Sequence, residues 1–244
     1  MAAKNTMLGN RAFGKGSESL VTVPYRSHRD ALEFVQATLR SARGVGVLQG
    51  PRASGKTLVA RLVQERLPET TAVARIDGTD ARPHTLLSEM LAQFGYHTGL
   101  ESAGELLQMV RVFVTQQAQS VQPPVLIIDN AEHMYSGARR TLDALADLRV
   151  QNRFALRILL TGDAGLNELI ASDDLQVFAQ RHFGMFSLGP LARRETTQYV
   201  HARLQACGAT NPDDIFPPAS CERLHDLSGG WPGVINHYAQ EALR

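Results

Sequence analysis

Short, uninterrupted apolar runs alternate with stretches of helical periodicity along most of this chain. Val45-Gly46-Val47-Leu48, residues 72–76, Val125-Leu126-Ile127-Ile128-Asp129, residues 154–160 and residues 184–188 each read as a strand. Between them the apolar positions recur at helical spacing, over residues 27–39, 58–67, 83–94, 103–119 and 138–149. Ser27 is the candidate N-cap of the first of these helices, and Pro68 and Pro123-Pro124 are stops. Strands that are apolar throughout, instead of alternating, belong to a parallel sheet covered on both faces. Beyond Pro190 only helices are predicted, at about 193–206, 218–227 and 234–243. The expected organisation is a flexible arm over 1–24, an α/β core over 25–190 and a small all-α lid over 191–244.

Composition adds little to that picture and removes some alternatives. The chain has 244 residues, 43% of them hydrophobic and 20% charged, which supports a real core and excludes a mainly disordered chain. Its formal net charge is +1, so any attraction to nucleic acid must come from a local patch. Residues 1–45 carry seven basic side chains (Lys4, Arg11, Lys15, Arg26, Arg29, Arg40, Arg43) against three acidic ones (Glu18, Asp30, Glu33), an excess of +4. That arm is either a solvated tail or a surface for an acidic partner or DNA. The two cysteines, Cys207 and Cys221, have no metal-ligand spacing, and a reducing compartment fits them best. No apolar run approaches the ~20 residues of a membrane span, and the first 20 residues lack a signal-peptide core.

The strongest chemical signal is Gly50-Pro51-Arg52-Ala53-Ser54-Gly55-Lys56-Thr57, a full G-x-x-x-x-G-K-[ST] phosphate loop. It leaves a hydrophobic strand and opens a helix through Leu58, as its chemistry requires. Backbone N–H groups of the loop and the positive helix end receive phosphate oxygens. Lys56 reaches the β and γ phosphates of ATP, and the Thr57 hydroxyl ligates Mg2+. Asp129, at the end of the most strand-like segment, is the candidate for the metal-side carboxylate. The fold class is therefore a three-layer P-loop NTPase core with a parallel sheet, followed by the helical lid.

The residues after Asp129 are less conventional. Many hydrolytic P-loop ATPases place Glu directly after this Asp to activate water. Here that position is Asn130, whose amide is no base, and Glu132 follows two residues later. Either Glu132 turns toward the γ-phosphate and serves as the base, or the site binds more than it hydrolyses.

With both motifs in hand the chain resembles the AAA+ superfamily, and within it the ATPases of the ExeA/GspA secretion type and the ATPase domain of the cell-division protein DamX. The resemblance spans about 25–244. It is carried by Phe186-Ser187-Leu188-Gly189-Pro190-Leu191, by Glu195-Thr196, Tyr199 and Arg203-Leu204, and by Leu227-Ser228-Gly229-Gly230-Trp231-Pro232-Gly233-Val234-Ile235-Asn236. The Gly-Trp-Pro-Gly-x-Ile-Asn wording is nearest the DamX kind. In that last run Gly229-Gly230 ends one helix, Trp231 caps the hydrophobic seam and Pro232 starts the next helix.

The resemblance implies a lid that closes over the adenine side, with Pro232 and Gly233 against the nucleotide. It implies a sensor role for Asp163, where relatives often carry Gln, and either a neighbour-facing arginine finger or a surface salt bridge for Arg181. Relatives of the secretion type commonly carry Arg where this chain has Gly233. Asn130, Asp163 and Gly233 together remove three polar contacts of the kind that stabilise phosphoryl transfer, so slow turnover is expected. The implied function is an ATP-binding switch or slow ATPase of cell-envelope processes, secretion or division. It would be a homo-oligomer, cytoplasmic, and tethered to the inner membrane in a longer parent protein from which a chain ending at Arg244 would be excised. The alternative is a transposition-regulator-like ATPase that forms ATP-dependent oligomers on DNA, and a third reading has nucleotide merely stabilising the fold.

Overall fold

The computed structural model describes residues 2–14, 23, 25–97, 99–100, 102–120 and 122–244. They form two compact units, one of Ala31–Pro51 and Val59–Ser187, the other of Met1–Asp30, Arg52–Leu58 and Leu188–Arg244.

The first unit is built on a five-stranded sheet of β1 (Val45–Gln49), β2 (Val73–Asp77), β3 (Val125–Asp129), β6 (Arg157–Gly162) and β7 (Gly184–Ser187). Every pairing is parallel and the strand order is β2-β3-β6-β1-β7. Continuous apolar runs produce this because both sheet faces are covered. Val45, Val47, Ile76, Leu126, Ile128, Ile158 and Leu160 share one core cluster with residues of α4 (Pro83–Gln93), α5 (Ala103–Ser120) and α6 (Ser136–Ala146). Leu48, Ile127 and Leu159, pointing to the opposite face by the period of two, are buried as well. There Gly46 leaves room for Thr38 of α2 (Arg26–Arg40), whose Cγ2 would lie 3.0 Å from an added Cβ.

The predicted strand at 154–160 is two elements. A hairpin of β4 (Arg149–Val150) and β5 (Arg153–Phe154) turns at Gln151 and Asn152, both with positive φ, and β6 starts afresh at Arg157. After β6 come two short helices, α7 (Gly165–Ala171) and α8 (Gln176–Gln180).

The second unit is helical. It contains α9 (Arg193–Ala206), α10 (Pro212–Ile215), α11 (Pro218–Ser228) and α12 (Pro232–Ala242), and also α1 (Ala2–Phe13), where the sequence suggests a flexible arm. α1 is helical because it has a surface to pack on. Ala12 and Phe13 enter the core with Tyr199, Val200, Leu204, Phe216, Ile235 and Leu243, and Phe13 meets Phe216 edge-on at 6.2 Å. Gly9, read in isolation as a breaker, is the point of closest approach, since an added Cβ would sit 2.9 Å from the Leu243 Cβ. The buried Arg203 guanidinium donates from Nε to the Ala12 carbonyl at 2.7 Å, satisfying one of the orphan acceptors at the end of α1. Lys15 and Glu18, counted in the charge of the arm, lie outside the described residues.

Helix punctuation follows the sequence where it is chemical. Gly229 ends α11 in the left-handed conformation, and Pro232 opens α12. Trp231, expected to seal the apolar seam, is instead half-buried at the N-cap position of α12. Among the described residues no helix is long and apolar enough to cross a membrane.

Candidate functional site

The carboxyl edge of the sheet carries the first group of candidate residues. Ile128 pairs with Leu160, so the next residues on those neighbouring strands are Asp129 and Thr161. The Thr161 hydroxyl donates to Asp129 Oδ1, which also accepts the Asn130 N–H at 3.2 Å, and both residues are buried. On the other side of β6, β1 ends at Gln49, and the Gly50 N–H donates to the Gly162 carbonyl at 3.0 Å. The chain thus enters the phosphate loop beside Thr161 and Gly162. Thr161 was not singled out by the sequence; a polar residue closing an apolar strand, before Gly162, was the available signal.

Glu132 lies in a single 3-10 turn, Ala131–His133, that follows β3. Its side chain is 9% exposed and crosses to the end of β6, where Oε1 accepts the Asp163 N–H at 3.0 Å. Oε2 is buried without a partner, and a Cβ added at Gly162 would lie 2.0 Å from it. Glycine at 162 therefore makes the space the carboxylate occupies. His133 Nε2 stands 3.9 Å from Oε1.

Three expectations change. Asn130 takes the left-handed conformation at φ 52°, which Asn tolerates better than most residues, and its amide donates to Asp77 Oδ1 at 3.0 Å. Burial pushes the Asp77 carboxyl up, but hydrogen bonds from Asn130 and the Thr79 N–H outweigh it and hold the group below its ordinary value. Asn130 is thus a turn residue bonded to β2. Asp163, just before the N-cap residue Ala164, accepts the Gly165 N–H at 2.9 Å through Oδ1, which gives a carboxylate at this position a local turn role ahead of α7.

Arg181 is neither a neighbour-facing finger nor a surface ion pair. It is 3% exposed, donates to the carbonyls of Arg43, Ala146 and Leu156, and stacks 3.9 Å from the centroid of Phe154. Burial, and then the like charges of Arg157 and Arg149, push it down to about 9, so it stays charged at neutral pH. Arg181→Met should leave three carbonyls without this donor. A loss of about 3 kcal/mol or more is expected in urea unfolding, at about 1–3 kcal/mol for each unsatisfied buried acceptor. Turnover per folded molecule should be unchanged.

The second group is the loop itself, in the helical unit. Ala53 and Gly55 have positive φ, 65° and 92°, and Lys56, the first residue of α3 (Lys56–Arg66), is 8% exposed. The Gly233 N–H, at the start of α12, donates to the Ala53 carbonyl at 2.9 Å. A Cβ at Gly233 would lie 2.5 Å from the Ala53 Cβ, so this arrangement has no room for the arginine that the resemblance leads one to expect there.

On the other side of the loop, His28 Nε2 lies 3.0 Å from the Ser54 carbonyl and the Tyr25 hydroxyl 3.3 Å from it. Burial raises the Tyr25 phenol above its ordinary value, with Tyr199 and Glu195 adding to the effect, so it remains a donor. Burial pushes His28 down to about 4, partly opposed by its bond to Ser54. The unfolded chain binds this proton more tightly, so its contribution to stability is complete above about pH 6.5 and is lost as pH falls toward 4. The interval corresponds to about 3 kcal/mol. Urea unfolding at pH 7 and pH 4 should show this loss in the wild type and a smaller one in His28→Gln.

Among the described residues no three His, Cys, Asp or Glu side chains gather as a metal cluster. Asp129 and Thr57 instead offer one carboxylate and one hydroxyl. Those are hard oxygens of the kind that suit Mg2+ held largely by nucleotide phosphates and water.

Comparison with known proteins agrees with this architecture. General secretion pathway protein A of Aeromonas hydrophila is 29% identical over 217 residues, which are 88% of this chain and 39% of that protein. The chain therefore spans well under half of that relative. Among solved structures, the ORC2 protein of Aeropyrum pernix, in ADPNP–ADP complexes, superposes with a TM-score of 0.65 at 20% identity, over 96% of this chain and 64% of that one. Cdc6p of Pyrobaculum aerophilum gives 0.67 at 16% identity, over 96% and 63%. At these identities the two structures speak for the fold alone. A family model described as the AAA domain matches residues 39–170, more than half of the chain, from before β1 into α7. The chain belongs to the AAA domain family of P-loop ATPases and is a distant homologue of general secretion pathway protein A.

Proposed function

We propose that the chain binds ATP through residues 50–58 and hydrolyses it slowly, as a nucleotide-dependent switch for a cell-envelope process. Mg2+ would be held by Thr57 and Asp129, and when bound it neutralises phosphate charge. Pro232 and Gly233 would lie on the lid side of the nucleotide. The observation that carries the reading is Glu132, a buried carboxylate anchored at Oε1 with Oε2 unpartnered. It is the acceptor a water-orienting base requires. Slowness is supported by the other polar positions, since Asn130 is engaged with Asp77, Asp163 with the Gly165 N–H, and Gly233 carries no side chain.

Secretion is supported by the related protein's name, and division by the wording of residues 230–236. The switch would act from the cytoplasmic side as a homo-oligomer, with the charge shared between protomers coming from a group other than Arg181. Assembly on DNA is the second reading. It is favoured by Arg43, Arg149 and Arg153, exposed arginines in the vicinity of Arg157 and Arg181 at the opposite edge of the sheet. ATP affinity, turnover and mass, measured on one sample with and without duplex DNA or anionic vesicles, test these readings together. Binding without acceleration by either surface fits an envelope protein that needs a protein partner. Salt-sensitive, ATP-dependent DNA binding would transfer the assignment to the second reading.

A further inference from the structure

Tyr25, Ser27 and His28 sit on the turn that opens α2, outside every motif considered above, yet they hold two other segments of the helical unit. His28 Nε2 donates to the Ser54 carbonyl at 3.0 Å, and its ring packs 4.1 Å from that of Tyr25. The Tyr25 hydroxyl lies 3.3 Å from the same carbonyl and 2.9 Å from the Gly189 carbonyl. Ser27, expected to cap its own helix, instead accepts the Gly189 N–H at 2.8 Å. The Arg26 N–H donates to Glu195 Oε1 at 2.9 Å, and Glu195 Oε2 takes the Ala192 N–H at the start of α9. His28 also fills the space over Gly55, where an added Cβ would lie 2.4 Å from Nε2.

In a trans peptide the carbonyl and the following N–H point in opposite directions. Holding the Ala53 carbonyl with the Gly233 N–H therefore aims the Ser54 N–H the other way. Holding the Ser54 carbonyl with His28 and Tyr25 does the same for the Gly55 N–H. Those are N–H groups of the kind a phosphate loop turns toward phosphate oxygens. We propose that Tyr25 and His28 are positioning residues, which set the Gly55 N–H for phosphate and tie that setting to Gly189 and α9. The inference rests on the nucleotide-binding reading above.

The test compares ATP with adenosine, which lacks phosphate, on the full chain. Affinities come from calorimetry for ATP and saturation-transfer NMR for adenosine, with folding checked by circular dichroism. His28→Ala should weaken ATP about tenfold and Tyr25→Phe about threefold, as expected for single buried hydrogen bonds. Both should leave adenosine within twofold. His28→Gln, which can present an amide donor to the same carbonyl, should recover most of the ATP affinity. Equal losses for ATP and adenosine, or no ATP loss in Tyr25→Phe, would overturn the positioning role even if His28→Ala fails to fold. A wild-type chain that binds no ATP would overturn the nucleotide reading itself, and the positioning role with it.

Discussion

Lys56→Ala should abolish ATP binding in a protein that still folds. Lys56 opens α3, and in the proposed site its ammonium would face phosphate oxygens as the charge that offsets theirs. Charge-assisted hydrogen bonds contribute about 1.5–3 kcal/mol each. Loss of contacts to both the β and γ phosphates should cost about 3–6 kcal/mol, or about two to four orders of magnitude in affinity. Calorimetry at micromolar protein would then register no ATP heat. Because Lys56 is buried, its aliphatic stem also packs, and Lys56→Met separates the two effects by keeping most of the stem while removing the charge. Both variants should lose ATP, whereas only Lys56→Ala should lose stability. Unchanged affinity in a folded Lys56→Met protein would refute a phosphate role for this loop.

The parts of this protein legible in its sequence are those whose chemistry is local. A phosphate loop needs its glycines and lysine at fixed spacing, and strands buried on both faces need continuous apolar runs; both survive reading without coordinates. What could not be read depends on partners far along the chain. Nothing around Ala179-Gln180-Arg181 signals burial, because the guanidinium is received by carbonyls of Arg43, Ala146 and Leu156. Helix α1 looks like an arm until α12 supplies the surface that Gly9 packs against, a tertiary override of weak local propensity. Ser27 has an N-cap residue's chemistry, but its partner is Gly189, 162 positions away. By sequence Asn130 stands where a catalytic carboxylate is expected. Its left-handed φ and its bond to Asp77 give it a structural reason to be Asn.

That last point decides which carboxylate to remove. Glu132→Gln should lower turnover about 10²–10⁴-fold, the usual contribution of a general base, with ATP affinity changed by no more than a few-fold. Gln keeps an oxygen for the Asp163 N–H, so the turn after β3 is preserved. At the buried Oε2 position an amide would present a donor where the wild type has an unpartnered acceptor. The change is nearly isosteric, so a fall in rate cannot be ascribed to a collapse around Gly162. Asn130→Glu, by contrast, should not accelerate the enzyme. It would place a second carboxylate where the amide now meets Asp77, and force a residue less suited than Asn into the left-handed region. Steady-state phosphate release from the wild type, Glu132→Gln and Asn130→Glu at saturating ATP distinguishes the two positions. The wild type should turn over well below the ~10 s⁻¹ typical of enzymes, Glu132→Gln should be slower still, and Asn130→Glu should not exceed the wild type. Wild-type turnover in Glu132→Gln, or a gain of tenfold or more in Asn130→Glu, would move the water-activating position from 132 to 130.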